Sequence, residues 1–197
     1  MFPIFLKLEG RRCLVVGAGT VAEGKIRGLI DAGAQVTVVA PKAVFQIRRW
    51  QWEGVLTWKP REFDPRDLDG ISIVIAATNS HELNTEIYKE AQARNVLCNA
   101  VDDPGNCDFY YPAVVNRGDL QIAISTNGRS PALAQRLKGE LEEQFGPEYE
   151  AWLQELGEAR EQLFAAEVDP EARKRLLHRL ASRDAFESRT VQRGRTN

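Results

Sequence analysis

Through the first half of the chain, short apolar runs alternate with longer stretches in which apolar residues are spaced among polar ones. "RCLVVGAG" and "ISIVIAATN" are of the first kind, so nearly unbroken that they predict strands buried on both faces of a sheet. From Val21 to Ala32 the apolar residues Val21, Ile26, Leu29 and Ile30 predict a helix, which Gly33 stops. "AQVTVVAP" predicts a second strand ended by Pro41, "VLTWKPREF" a shorter strand, and "HELNTEIYKEAQARN" a helix leading into the strand "VLCNAV". Strands and helices in this order build a parallel sheet covered by helices, an α/β architecture of βαβ units.

From Phe109 the rhythm changes. "FYYPAVVNRGDLQIAIST" holds two β-rich runs joined by the turn-forming Asn116, Arg117, Gly118 and Asp119, which predicts a hairpin leaving the main sheet. Beyond "NGRSP", Leu133, Leu137, Leu141 and Phe145 recur every four residues and make one helical stripe. Gly146 and Pro147 interrupt it. Two further helical stretches follow, one with Trp152, Leu156 and Leu163, the other with Leu176, Leu177 and Leu180. The last residues, "ESRTVQRGRTN", are polar and expected to fray. The organisation expected is a parallel-sheet domain over 1–112, a strand-helix segment for dimerisation and substrate binding over 113–145, and a small helical segment over 146–197. Such a helical segment has little core of its own, so it must pack on the first domain or on a second subunit, and a homodimer is expected.

Composition narrows the class of partner. With 197 residues and 43% hydrophobic content the chain can fill the core of one good-sized domain plus an appendage. A net charge of -2 argues against a general role on nucleic acid or on a membrane surface, since either needs an excess of Lys and Arg on one face. Three widely spaced cysteines, Cys13, Cys98 and Cys107, form no CxxC pair and indicate neither a disulfide framework nor a zinc site. No run reaches the roughly 18 apolar residues of a membrane span, and the start of the chain lacks an apolar segment ending in a cleavage site. A soluble, unprocessed, cytoplasmic protein is expected.

The chemistry-bearing motif nearest the start is "GAGTVA", Gly17 to Ala22, between the first strand and its helix. In that context Gly17 permits the tight turn, Gly19 lets a pyrophosphate approach the backbone, and Ala22 replaces the usual third glycine where helix and strand pack. Amides at the helix start then point at the phosphates, and the sheet domain reads as a Rossmann-type, NAD-binding one. The fingerprint also calls for Asp or Glu at the end of the second strand to hold the ribose hydroxyls. Ala40, Pro41 and Lys42 stand there instead. The ribose must be held by backbone around Pro41, by Lys42, or by a residue the sequence does not place. Lys42 also suits a 2′-phosphate, so physics alone leaves NAD and NADP open. Thr78 and Asn79 end the "IVIAATN" strand where ligands collect in open α/β sheets, or else bond their own loop.

"VLCNAVDDPGN" should also aim its carboxyl end at this crevice, with Asn99 and Asp102 near the nicotinamide end. Hydride removal from a saturated carbon leaves a proton, which a carboxylate in a partly desolvated cleft can take. Asp102 directly follows the apolar strand and is the better base; Asp103 precedes Pro104 and reads as the turn former.

The ordered string "FPIFLKLEGRRCLVVGAGTVAEGKIRGLIDAGAQVTVVAP", "IVIAATN", "CNAVDDP", "DFYYPAVVNRGDLQIAISTNGRSPALAQRLK" resembles precorrin-2 dehydrogenase, the enzyme that also forms the N-terminal module of siroheme synthases. The resemblance runs from Phe2 to Lys138; beyond that only helical character is similar. It implies NAD-dependent oxidation of precorrin-2 to sirohydrochlorin, in some members followed by insertion of ferrous iron. It also implies that Asp102 is the catalytic residue, that Thr20 and Val21 contact the cofactor after the glycine turn, and that Pro41 and Lys42 do so after the second strand. The family too lacks the strand-end acid, which tips the cofactor to NAD. Thr126 falls where some relatives have a serine, so a role tied to that serine is not carried over.

Precorrin-2 is a modified tetrapyrrole rich in carboxylates, so an acidic protein must concentrate its few cations around it. Candidates are Lys25 on the first helix and Arg129 and Arg136 around the "NGRSPALAQR" helix start, with Asn99 at the strand mouth. The two histidines, His81 and His178, belong to no cluster with metal-ligand spacing, and no resident metal is expected. Two other readings stand beside this one. One is an NAD-binding module that senses redox state and signals through its helical tail; the other is an NADP-linked reductase suggested by Lys42.

Overall fold

A computed structural model of the chain describes residues 1–194, the side chains among them as far as Arg189. Strand β1 (Arg12–Val16) leads through the glycine turn into α1 (Thr20–Asp31), then β2 (Gln35–Val39), α2 (Phe45–Trp52), β3 (Thr57–Lys59), β4 (Ile73–Ala76), α3 (His81–Ala93) and β5 (Leu97–Ala100). The five strands form one parallel sheet in the order β3-β2-β1-β4-β5. β1 is central, Val15 lying between Val38 of β2 and Ile75 of β4.

Alternation along β1 divides the core. Cys13 and Val15 face a layer with Ile26 and Leu29 of α1 and Ile47 and Trp50 of α2, whereas Leu14 and Val16 face Ile87 and Ala91 of α3 with Leu68 and Cys98. Because both faces are covered, the strands carry apolar residues at successive positions, and Leu14, Val15, Ile75 and Val74 are fully buried. In α1 the core positions are Ala22, Ile26 and Leu29. Val21, grouped with them on sequence spacing, is 54% exposed. It sits on the outer side of the first turn, one residue before the buried Ala22.

Helix α2, "FQIRRWQW", is not apparent in the hydrophobic pattern. Only Ile47 and Trp50 are buried, three residues apart, while Phe45 and Trp52 stay exposed, so eight residues give too short a period to read. Its position is set from the sheet side: Trp58 of β3 donates its indole N–H to the Ala40 carbonyl at 2.9 Å, tying β3 to the end of β2.

The first compact unit is Met1–Tyr111 and the second begins at Pro112. The second opens with an antiparallel hairpin, β6 (Ala113–Arg117) and β7 (Leu120–Ile124), whose turn uses Gly118 at φ +59. Four helices follow: α4 (Pro131–Gln144), α5 (Glu148–Ala165), α6 (Pro170–Leu180) and α7 (Arg183–Gly194). Of the expected α4 stripe, Leu137, Leu141 and Phe145 are half-buried, while Leu133 is exposed and Ala134 takes the buried place. Helix α7 runs through the polar stretch expected to fray. The Phe186 ring lies 4.5 Å from Tyr149 and 4.8 Å from Trp152, and Arg189 makes two hydrogen bonds to Glu155 at 2.6 and 2.7 Å. These contacts hold the helix where its own sequence is weakly amphipathic. Residues 195–197, part of the same expectation, lie outside the described residues.

Candidate active site

In this strand order the chain leaving β1 turns onto one face of the sheet and the chain leaving β4 onto the other, which opens a crevice between their carboxyl ends. A cleft of about 920 Å³ occupies that place. Gly17, Gly19, Thr20, Val21, Pro41, Lys42 and Thr78, the seven cofactor-site expectations, all line it.

The two glycines differ in what they permit. Gly17 has φ +107, and its N–H bonds the Val39 carbonyl at 2.9 Å. A Cβ on it would come 2.2 Å from the Ala77 carbonyl oxygen, so glycine is needed for the strand-end turns of β1 and β4 to touch. Gly19 has an ordinary φ of -85 and nothing within 4 Å of a Cβ built on it. What it leaves open is the cleft itself. It is also the N-cap of α1 and supplies no side-chain hydrogen bond to the first turn. Those amides are therefore available to an anion, in the position where a dinucleotide pyrophosphate is held. Ala22, fully buried, closes the helix against the sheet. The cleft thus has the free donors and the open backbone that a dinucleotide requires.

Thr78 lines the cleft, but its polar groups bond their own loop. Its hydroxyl lies 2.7 Å from Asn84 Oδ1 and 3.1 Å from the Ser80 carbonyl, and its N–H donates to Asn84 Oδ1 at 3.2 Å. Asn84 is buried and returns a bond from Nδ2 to the Thr78 carbonyl. Thr78 therefore shapes the rim of the cleft, and Asn79 beside it is exposed.

At the mouth of β5, Asp102 is exposed and has φ +60, a left-handed conformation that a non-glycine residue adopts at some cost. The next residues fold back: Cys107 bridges to Asn99, and the Asn99 amide donates to the Phe109 carbonyl at 2.8 Å. Asn99, expected to meet substrate, is 7% exposed with its amide occupied by this return segment. Asp103 accepts from Asn106 Nδ2 at 2.7 Å and lies 3.3 Å from His81 Nδ1, which ties the β5 mouth to the start of α3. The expected roles thus separate physically, Asp103 holding the turn and Asp102 standing clear of it. Lys25 sits with its ammonium 3.5 Å from the centre of the Tyr111 ring. Burial lowers its pKa, and the charges of Asp102 and Cys107 pull in the opposite direction, so Lys25 and Asp102 share one electrostatic environment.

Arg129 and Arg136 belong to the second unit. Arg129 is exposed in the turn before α4, and Arg136 pairs with Glu140 one turn along the helix at 3.3 Å. The α4 start is not all free donors: Ser130 caps it, accepting from the Leu133 N–H at 3.2 Å, and Thr126 Oγ1 accepts from the Ser130 N–H. Among the described residues no group of three or more His, Cys, Asp or Glu side chains could hold a metal ion, and no helix is long and apolar enough to cross a membrane.

Several lining residues were missed by sequence reasoning, chiefly Glu62 and Phe63 after β3 and Ser80, Leu83 and Glu86 around the start of α3. The available signal was parallel pairing. A strand beside β2 must end at the same edge of the sheet, so the chain leaving it arrives at the same crevice.

A parallel sheet reversing at β1, with a glycine turn and an uncapped helix start at the reversal, defines a Rossmann-type dinucleotide-binding protein. Residues 4–113 match the model of an NAD(P)-binding family, and residues 117–144 that of the sirohaem biosynthesis protein central region. The chain is 39% identical over 183 residues to siroheme synthase 1 of Aeromonas hydrophila subsp. hydrophila, covering 92% of this chain and 39% of that one. It is 43% identical over 140 residues to the siroheme synthase of Nitrosococcus oceani, covering 71% of this chain and 30% of that one. The solved structure of SirC, precorrin-2 dehydrogenase, superposes with a TM-score of 0.80 at 32% identity, covering 93% of this chain and 90% of that one. The chain belongs to the precorrin-2 dehydrogenase/siroheme synthase family of NAD(P)-binding proteins. It spans under two fifths of the length of these two siroheme synthases.

Proposed function

We propose that the chain catalyses the NAD-dependent dehydrogenation of precorrin-2 to sirohydrochlorin in siroheme biosynthesis. The observation that carries this reading is the pairing of a cleft lined by the glycine turn with an exposed carboxylate, Asp102, at the neighbouring strand mouth. It is supported by the likeness to a precorrin-2 dehydrogenase over nearly the whole of both chains.

When bound, the nicotinamide supplies the two-electron hydride acceptor. The amides at the start of α1 hold the pyrophosphate, with Gly19 keeping the approach open and Thr20, Val21, Pro41 and Lys42 lining the path. A carboxylate oxygen of Asp102 takes the proton that the macrocycle gives up as its hydride leaves. Lys25 presents a positive charge at the same place, suited to a substrate carboxylate. The proposed assembly is a homodimer in the cytoplasm. The dimer is supported by the exposed apolar side chains of Phe2, Ile4 and Phe5 near the start of the chain.

Asp102→Asn tests the reading. NADH formation from precorrin-2 should fall by about a hundredfold or more, with NAD affinity within about twofold of the parent. Turnover that survives the substitution removes Asp102 from the chemistry. A parent protein that binds NAD yet never turns over favours the redox-sensing module. Adding ferrous ion to the same mixture tests the insertion step known in some members of the family.

A further inference from the structure

The acid that normally closes on the adenosine ribose at the end of the second strand is replaced here by Ala40, Pro41 and Lys42. Another carboxylate reaches the same end of the cleft by a different route. β3 lies parallel beside β2, with Lys59 paired to Val39, so the chain leaving β3 emerges beside the chain leaving β2. Three residues later Glu62 lines the cleft, in company with Phe63, Pro41 and Lys42.

The surroundings of Glu62 keep its charge free. Its cationic neighbours in sequence are turned elsewhere: Lys59 bonds Asp67 Oδ1 at 3.0 Å, and Arg61 bonds both oxygens of the same buried carboxylate. Asp67 also accepts from the Asp64 N–H at 3.1 Å, and Arg61 donates to the Glu62 carbonyl at 2.8 Å, so the backbone on both sides of Glu62 is held. Phe63 anchors the segment further by packing against the core. Among the described residues the Glu62 side chain makes no ion pair or hydrogen bond, and it is exposed. A fixed backbone with an unpartnered carboxylate facing a ligand cleft is the arrangement that a missing strand-end acid leaves to be filled. Glu86, the other carboxylate of the lining, comes from α3 beside Thr78 and Ser80, away from the β2 end.

We propose that Glu62 is the ribose clamp of this chain: its carboxylate accepts hydrogen bonds from the adenosine ribose hydroxyls and repels a 2′-phosphate, so that the site selects NAD over NADP in spite of the neighbouring Lys42. The inference rests on the reading of the cleft as a dinucleotide site. It requires nothing of the reaction that follows. Selection of this kind combines an attractive contact to one ligand with a repulsive one to its competitor.

Calorimetric titration of the full chain with NAD and with NADP tests it without turnover. The parent should bind NAD about tenfold or more tightly than NADP. Glu62→Gln should weaken NAD by about five- to tenfold, strengthen NADP, and bring the ratio of the two to about one or below, with an unchanged melting temperature because the side chain is exposed. Glu62→Asp, which keeps the charge, should preserve the preference for NAD. An unchanged ratio in Glu62→Gln, with NAD still bound, overturns the assignment of Glu62 alone. A parent that binds neither dinucleotide overturns the cleft reading and this proposal with it.

Discussion

Gly17 and Gly19 stand two residues apart in one motif, and the geometry predicts opposite consequences for the same substitution. An alanine at 17 must hold φ +107, a cost of about 1–3 kcal/mol for a residue with a Cβ. It must also relieve an approach of 2.2 Å to the Ala77 carbonyl oxygen, and neither side can easily yield. The Gly17 N–H is bonded to Val39 at 2.9 Å and the Ala77 N–H to Val16 at 2.8 Å, so any retreat stretches a bond at the end of a central strand. Overpacking of this kind adds about 1–3 kcal/mol. The sum, about 2–6 kcal/mol, is a large part of the roughly 5–15 kcal/mol that holds a domain together. It should lower the melting temperature by about 5–20 °C. Alanine at 19 meets nothing, so its stability cost should stay within about 1 kcal/mol, mainly from a poorer helix start. Its methyl group instead enters the cleft and should weaken NAD by about tenfold or more. Thermal unfolding followed by circular dichroism, with dinucleotide titration of both variants, checks the pair. If Gly17→Ala melts with the parent, or if Gly19→Ala destabilises as much, the division of roles within the motif is wrong.

Alkaline pH should expose the buried thiol of β5. Burial, with the Asp108 and Cys107 charges, pushes Cys98 up to about 12, whereas in the unfolded chain it ionises near 9. Between these values the folded state keeps a proton that the unfolded state has lost, so stability should fall as pH rises, by up to about 1.4 kcal/mol per pH unit from this group. Cys98→Ala should make the decline shallower in urea melts taken between pH 9 and 11, and an identical slope in both proteins counts against it. In the second unit, Arg117 donates to the Phe145 carbonyl at 2.8 Å and to the Glu142 carbonyl at 3.1 Å, closing the last turn of α4. Arg117→Ala should cost about 1–2 kcal/mol, and Arg117→Lys should recover only part of that because one ammonium cannot hold two divergent carbonyls as a guanidinium does. Hydrogen exchange in residues 141–145 that stays at the parent rate would refute this capping role.

The parallel sheet and its glycine turn were legible because their causes are local. Strands buried on both faces need apolar residues at every position, as in Leu14 to Val16 and Ile73 to Ala76, and a helix against them needs a period of about 3.6, as in Ile26 and Leu29. The place of Asp102 just beyond β5 was legible for the same reason, since the end of a parallel strand follows from its apolar run. The occupied amide of Asn99 was not, and for Thr78 the sequence left two readings open. Both are polar residues at strand ends, and only the fold-back at Cys107 and the buried Asn84 decide that their side chains bond the protein. Glu62 escaped because nothing near it in the chain is periodic or apolar in a telling way. It reaches the cleft through the pairing of β3 with β2, and α7 is held through Phe186 on Tyr149.

The order of apolar and polar residues thus determined by itself the strands, the helices other than α2 and α7, and where the nucleotide turn lies, since each follows from how neighbouring residues share a surface. Which polar groups remain free for a ligand was decided only in three dimensions. A side chain is free or occupied according to partners brought in from distant parts of the chain, and no spacing within one segment encodes that.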